Sequence, residues 1–224
     1  MKTTNDLERP DFVSFLASVP ADDELARLTE TYTAAMTHVV TLQARTDAAR
    51  QEIARIDERL MTAPDDQAKL LTQRAQQMQA LDVYPAQLVE AIRRRGLAHL
   101  YWLARLRAVA LKEAERAATA LTEPLATARG LRRRVDRDDV NGTGFRNITP
   151  AERDLMEQQR VAISALVRDD QQQLQKAQEV AAVTQARAQM LYGDSLTLDA
   201  PGLWAAAMEQ QTRKVTPVVV RSWV

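Results

Sequence analysis

Apolar side chains between residues 25 and 60 recur at alternating steps of three and four. Leu25, Leu28, Tyr32, Ala35, Val39, Leu42, Thr46, Ala49, Ile53, Ile56 and Leu60 fall in one series. That spacing places them on a single stripe of an α-helix and repeats as five heptads. The stripe is narrow, so its expected partner is another helix, not a broad core. Asp22, Asp23 and Glu24 precede it. Carboxylates there suit the positive end of a helix dipole, so a helix is predicted from about residue 22 to 62. Leu25, Leu28, Tyr32, Val39, Leu42, Ile53, Ile56 and Leu60 are the expected oligomer seam.

Ala63-Pro64-Asp65-Asp66 ends that helix, and an aspartate there can cap the next. The second helix is predicted over 66–137, kinked or broken near Pro85 and again near Pro124. Leu97, Ala104, Leu111, Ala118 and Leu125 recur every seven residues within it. Around 97–111 it is apolar on most faces. A third helix is predicted over 150–192, with Gly193 as its stop. Its stripe runs Ile163, Val167, Asp170, Leu174, Ala177, Ala181, Thr184, Ala188 and Leu191, thin and rich in alanine.

The ends differ from this pattern. Residues 1–21 read as an irregular N-terminal arm with a small apolar cluster, Phe12, Val13, Phe15, Leu16 and Val19. Residues 193–224 read as a short helix, capped by Asp199 and carrying Leu203, Trp204 and Met208, followed by the extended run VTPVVVRSWV. A lone strand has no stability in water. Val218, Val219, Val220, Trp223 and Val224 are therefore expected to dock on a partner. The fold class is all-α: an elongated antiparallel bundle or coiled coil of about three long helices, residues 22–192, with extended N- and C-terminal arms.

Composition narrows the chemistry. The 224 residues contain no cysteine, which excludes disulfides, thiolate nucleophiles and cysteine-ligated metals. There is no glycine-rich phosphate loop and no Gly-x-Ser-x-Gly elbow. His38 and His99 lie in neither a Glu-x-x-His nor a His-x-x-x-His pattern, and both read as structural. No enzyme activity and no cofactor are expected. The longest apolar stretch, 97–111, is too short to span a bilayer and contains Arg105 and Arg107. The polar start, MKTTNDLERPD, has no apolar segment behind it, so no signal peptide is expected. The expected location is the cytoplasm, or a particle assembled there.

Net charge is zero but unevenly spread. Residues 93–137 hold 12 Lys/Arg against 4 Asp/Glu. Arg93, Arg94 and Arg95, and then Arg129, Arg132, Arg133 and Arg134, are candidate phosphate contacts for a nucleic acid. Consecutive arginines fan around a helix, and no aromatic residues are interleaved for base stacking. Salt bridges to acidic segments are the plainer reading.

The segment DVNGTGFRNIT, 139–149, resembles the first half of an EF-hand calcium loop, with Asp139, Asn141 and Thr143 at the first three ligand positions. The resemblance stops at position 12, where a bidentate carboxylate is required and Pro150 stands. Thr149-Pro150-Ala151-Glu152 forms a capping box instead, with proline at N1. No metal is expected.

The function these features favour is a non-catalytic structural or assembly subunit. It oligomerises or bridges other proteins, and a virion or similar large particle is one setting. A nucleic-acid accessory protein, or a helical adaptor of an enzyme complex, is the alternative.

Overall fold

The computed structural model describes residues 5–62, 66–140 and 150–210. Within 133–140, and at Pro150 and Arg153, only the backbone is described. The helices are α1 (Pro10–Leu16), α2 (Asp23–Thr62), α3 (Gln67–Ala120), α4 (Thr122–Val140) and α5 (Pro150–Tyr192). Short 3-10 turns lie at Asp6–Glu8 and Pro201–Leu203, and residues 204–210 are helical. The protein is an all-α bundle of long helices, and the described residues contain no strand. None of their helices is long and apolar enough to cross a membrane.

The chain groups into two compact units, each drawn from distant stretches. One holds residues 1–21 and 106–184; the other holds 22–105 and 185–224.

In the second of these, α2 starts where its sequence says. Asp22 is the N-cap, and its Oδ1 accepts the Leu25 amide at 2.7 Å. At 40 residues the helix is about 60 Å long. Its partner is α3 of the same chain. Asp22 and Thr29 meet Arg105 and Trp102, Val39 and Leu42 pack with Ala91 and Leu88, and Asp57 meets Arg74. The pairing moves in opposite directions along the two helices, so they run antiparallel.

The stripe expected to form an oligomer seam packs in large part within the chain. Leu25, Tyr32, Val39, Leu42 and Ile56 are buried within the chain, and Leu28, Ile53 and Leu60 are half-buried. A heptad stripe needs one facing helix, and the antiparallel return of α3 supplies it.

The two prolines act differently. Pro85 lies inside an unbroken α3 of 54 residues, so of a kink or a break there, the break is absent. Proline removes one backbone bond, to the Leu81 carbonyl. The helix is anchored on both sides of it, by buried Leu70 before and by Leu88 and Ala91 after. At Pro124 the lost bond would have gone to the Ala120 carbonyl, and α3 ends at Ala120. The break thus falls at Leu121, three residues before the proline. Thr122 Oγ1 donates to the Thr119 carbonyl across it, and Pro124 sits within the first turn of α4, where its missing N–H costs nothing.

In the other unit, residues 10–16 are helical where an irregular arm was expected. Pro10 sits at N1, and Phe12 and Phe15 share the buried face at 0% and 1% exposure. At the far end of α5, Gly193 adopts φ 115°, and its amide bonds the Gln189 carbonyl at 2.8 Å. A side chain would be strained in that left-handed position, which makes Gly193 the stop its sequence implied.

Candidate interaction surfaces

The densest chemistry lies in the unit built from 22–105 and 185–224, around His99. Its ring stacks on Tyr32 (4.6 Å between centroids, 12° between planes) and meets the Tyr192 ring edge-on at 5.8 Å. His99 Nδ1 and the Tyr192 hydroxyl share a hydrogen bond of 2.8 Å. Trp102, fully buried, donates from Nε1 to Thr29 Oγ1 at 3.0 Å. Thr29 Oγ1 in turn donates to the Leu25 carbonyl at 2.8 Å. The stacked rings, with His99 Nδ1 and Trp102 Nε1 hydrogen-bonded to neighbours, pack as one aromatic plug. The histidine expected to be structural is a packed member of it. His38, by contrast, is exposed on α2.

Beside the plug, Arg105 clamps the start of α2. Its Nε and one terminal nitrogen reach the two Asp22 oxygens at 3.1 and 2.7 Å, and the other terminal nitrogen reaches Glu24 at 2.8 Å. The hydrogen bond to Asp22 raises the Arg105 pKa. Asp22 thus caps the helix and anchors it to α3 at once, a combination that spacing alone did not reveal.

Residues 193–210 fold back on the same unit. Gln185 holds them by its amide: Nε2 donates to the Leu196 carbonyl at 2.8 Å, and Oε1 accepts the Leu198 amide at 3.1 Å. Leu196, Leu198, Trp204 and Met208 are buried. Trp204 Nε1 donates to the Thr197 carbonyl at 3.0 Å, and the Tyr101 ring meets Trp204 edge-on. Met208 covers Gly96, where an added Cβ would collide with the methionine sulfur. That atom is near the end of a flexible chain and can move. Gly96→Ala should therefore leave stability within about 1 kcal/mol, because the gain in helix propensity offsets the displaced methionine. Gly96→Leu should cost about 1–3 kcal/mol through overpacking. Urea unfolding of the two variants checks both signs.

In the other unit, Lys176 of α5 secures the end of α1. Its Nζ donates to the Ser14 carbonyl at 2.9 Å and to Ser18 Oγ at 3.4 Å, so a cation meets the negative end of that helix. A shallow open hollow of about 350 Å³ lies alongside, lined in part by Phe15, Glu113, Asp169, Gln172 and Lys176. Its polar lining is surface-exposed apart from Glu113 and Lys176, which are half-buried.

Arg9 and Asp11 fix the entry to α1. Arg9 donates twice to Asp11, at 3.1 and 2.8 Å, and lies 4.9 Å over the Phe12 ring. The Arg9 hydrogen bond holds the Asp11 carboxyl below its ordinary pKa. A depressed carboxyl stabilises the folded arm above its unfolded pKa, and that contribution fades as pH falls through the folded one. Amide exchange of 10–16 is thus expected to quicken as pH drops below about 4, after correction for intrinsic rates, and Asp11→Asn should remove the dependence.

The arginine clusters are only partly available. Arg93 and Arg94 share Glu90, at 3.6 and 2.9 Å, and Arg95 is half-buried. One carboxylate on the same helix therefore balances part of the first cluster's charge. Arg129 and Arg132 are exposed on α4. Arg133 and Arg134 lie on α4, where only the backbone is described. Of the candidate calcium ligands, Asp139 lies in the last turn of α4, a helix that runs three residues beyond its expected end. Asn141 and Thr143, and with them Thr149 of the capping box, lie outside the described residues. So do Val218, Val219, Val220, Trp223 and Val224.

These elements define a long-helix bundle protein whose candidate surfaces are helix faces. No family model matches the chain, and no curated protein or solved structure matches it.

Proposed function

We propose that the protein is a non-catalytic assembly subunit, a helical spacer that associates with copies of itself within a larger particle assembled in the cytoplasm, a virion being one such setting. One observation carries this reading. Over residues 150–176 of α5, no described side chain is fully buried. A helical stretch of that length gains little from propensity alone and holds its shape through packing. Met156, Ile163, Val167 and Asp170 are only half-covered in their own unit, and Leu155, Val161 and Leu166 are more than half exposed. Surface of this kind is what an assembly covers.

Mass-resolved light scattering of the whole chain and of a chain lacking 215–224 tests the proposal. The expected result is a mass above 25.1 kDa that rises with concentration, and a smaller rise without the tail. A single mass of 25.1 kDa for the whole chain at every concentration contradicts it. Nucleic-acid binding is the weaker alternative, since Glu90 already engages two arginines of the first cluster.

A further inference from the structure

We infer that residues 194–210 form an exchangeable clasp: released at Gly193, they seat in the matching groove of a second copy and tie two chains together. The inference rests on the self-association proposed above and supplies a contact besides the half-covered span of α5. The groove and its occupant both lie in the unit of 22–105 and 185–224. Gln185 holds the clasp backbone at Leu196 and Leu198. The Tyr101 ring meets Trp204 at 4.9 Å between centroids. Met208 sits on Gly96, and Tyr192 lines the same spot. Residue 204 thus lies by 101 and residue 208 by 96, so the clasp helix runs antiparallel to α3.

The link between this clasp and α5 is short. It consists of Gly193, Asp194 and Ser195, and all three are exposed. The helical bonding of α5 persists as far as the Gly193 amide, which reaches the Gln189 carbonyl at 2.8 Å. The chain then reverses on the positive φ of Gly193 and on one turn bond, from the Leu196 amide to the Gly193 carbonyl at 3.0 Å. Returning Gly193 to a helical φ breaks that turn and carries the clasp away from its own groove. No buried side chain lies between Tyr192 and Leu196, so the hinge itself moves without uncovering core.

The fit already made within one chain selects the occupant. Trp204 and Met208, four residues apart, anchor an amphipathic segment in a groove, a recurrent mode of helix recognition. Release uncovers them together with Leu196 and Leu198, which are also buried, and apolar side chains of that size need cover again. The vacated groove has the shape and the Gln185 hydrogen bonds for this segment. The same segment of a second copy makes identical contacts there. Reciprocal exchange closes with twofold symmetry and leaves neither groove empty. The contacts are the same in both forms, so concentration and the hinge conformation set the balance between them.

Single-cysteine chains test the inference cleanly, because the natural chain has no cysteine. A full chain carrying Gly96→Cys is mixed at high concentration with one carrying Met208→Cys, and a short bismaleimide is added. The expected product joins one copy of each, because residue 208 of one chain lies by residue 96 of the other. Pairing Met208→Cys with Met61→Cys, exposed near the far end of α2, should give little product. Sedimentation velocity of Gly193→Ala supplies a second reading without cysteine. Alanine resists the left-handed φ and favours the straightened helix, so the dimer Kd should fall by about 10-fold or more. Dimers of the whole chain with no 96–208 product above the control, or a Gly193→Ala Kd that stays level or rises, overturn the exchange and leave the assembly reading standing. A whole chain that is monomeric at every concentration overturns both.

Discussion

Trp102→Ala is expected to lower stability by about 3–5 kcal/mol, the range for removing a large aromatic from a core. Trp102 is fully buried, flanked by the Tyr32 and His99 rings and hydrogen-bonded to Thr29. Its loss opens a cavity where α2 and α3 meet and leaves Thr29 without its donor. Trp102→Phe keeps most of the volume and forfeits the hydrogen bond, so it should cost about 1–2 kcal/mol. Urea unfolding followed by circular dichroism measures both. Equal losses for the two variants would mean that the hydrogen bond, and not the packing, holds the plug.

Phe12→Ala combined with Phe15→Ala should release α1. Each ring is buried to within 1%, and together they anchor a helix of only seven residues. Truncating one buried phenylalanine costs about 3–5 kcal/mol, which exceeds what so short a helix can retain by itself. The loss is local, however. Amide protection of 10–16 should vanish, while α2 and the part of α3 facing it keep theirs, since they belong to the other unit. Global unfolding of the double variant would show instead that the N-terminal helix is integral to the whole chain. The Lys176 contact alone is not expected to retain α1, because an exposed hydrogen bond contributes about 1 kcal/mol or less.

Much of the helix layout could be read in the residues themselves. The three-four spacing from Leu25 to Leu60 marks α2, Asp22 its start, and Gly193 the end of α5. What the spacing could not say is which helix faces the α2 stripe. Heptads specify a partner's geometry, and the chain's own α3 meets that requirement as well as a second copy would. Helix α1 was overlooked because seven residues span barely two turns, too few for a period to show. Phe12, Phe15 and Leu16 at i, i+3 and i+4, after Pro10, were the available signal. The return of 193–210 depends on Gln185, whose amide bonds two backbone groups more than ten residues away; a glutamine in a polar helix gives no hint of this.

The stripe of α2 packs against α3 of the same chain, and the half-covered span 150–176 of α5 is the surface through which association with further copies is proposed. Hydrogen exchange at low and high protein concentration tests it most directly. Protection of residues 151–168 is expected to rise with concentration, while that of 39–56 on α2 stays high and constant. Protection that rises on α2 and remains flat on α5 would contradict it, and would return the oligomer interface to the heptad seam.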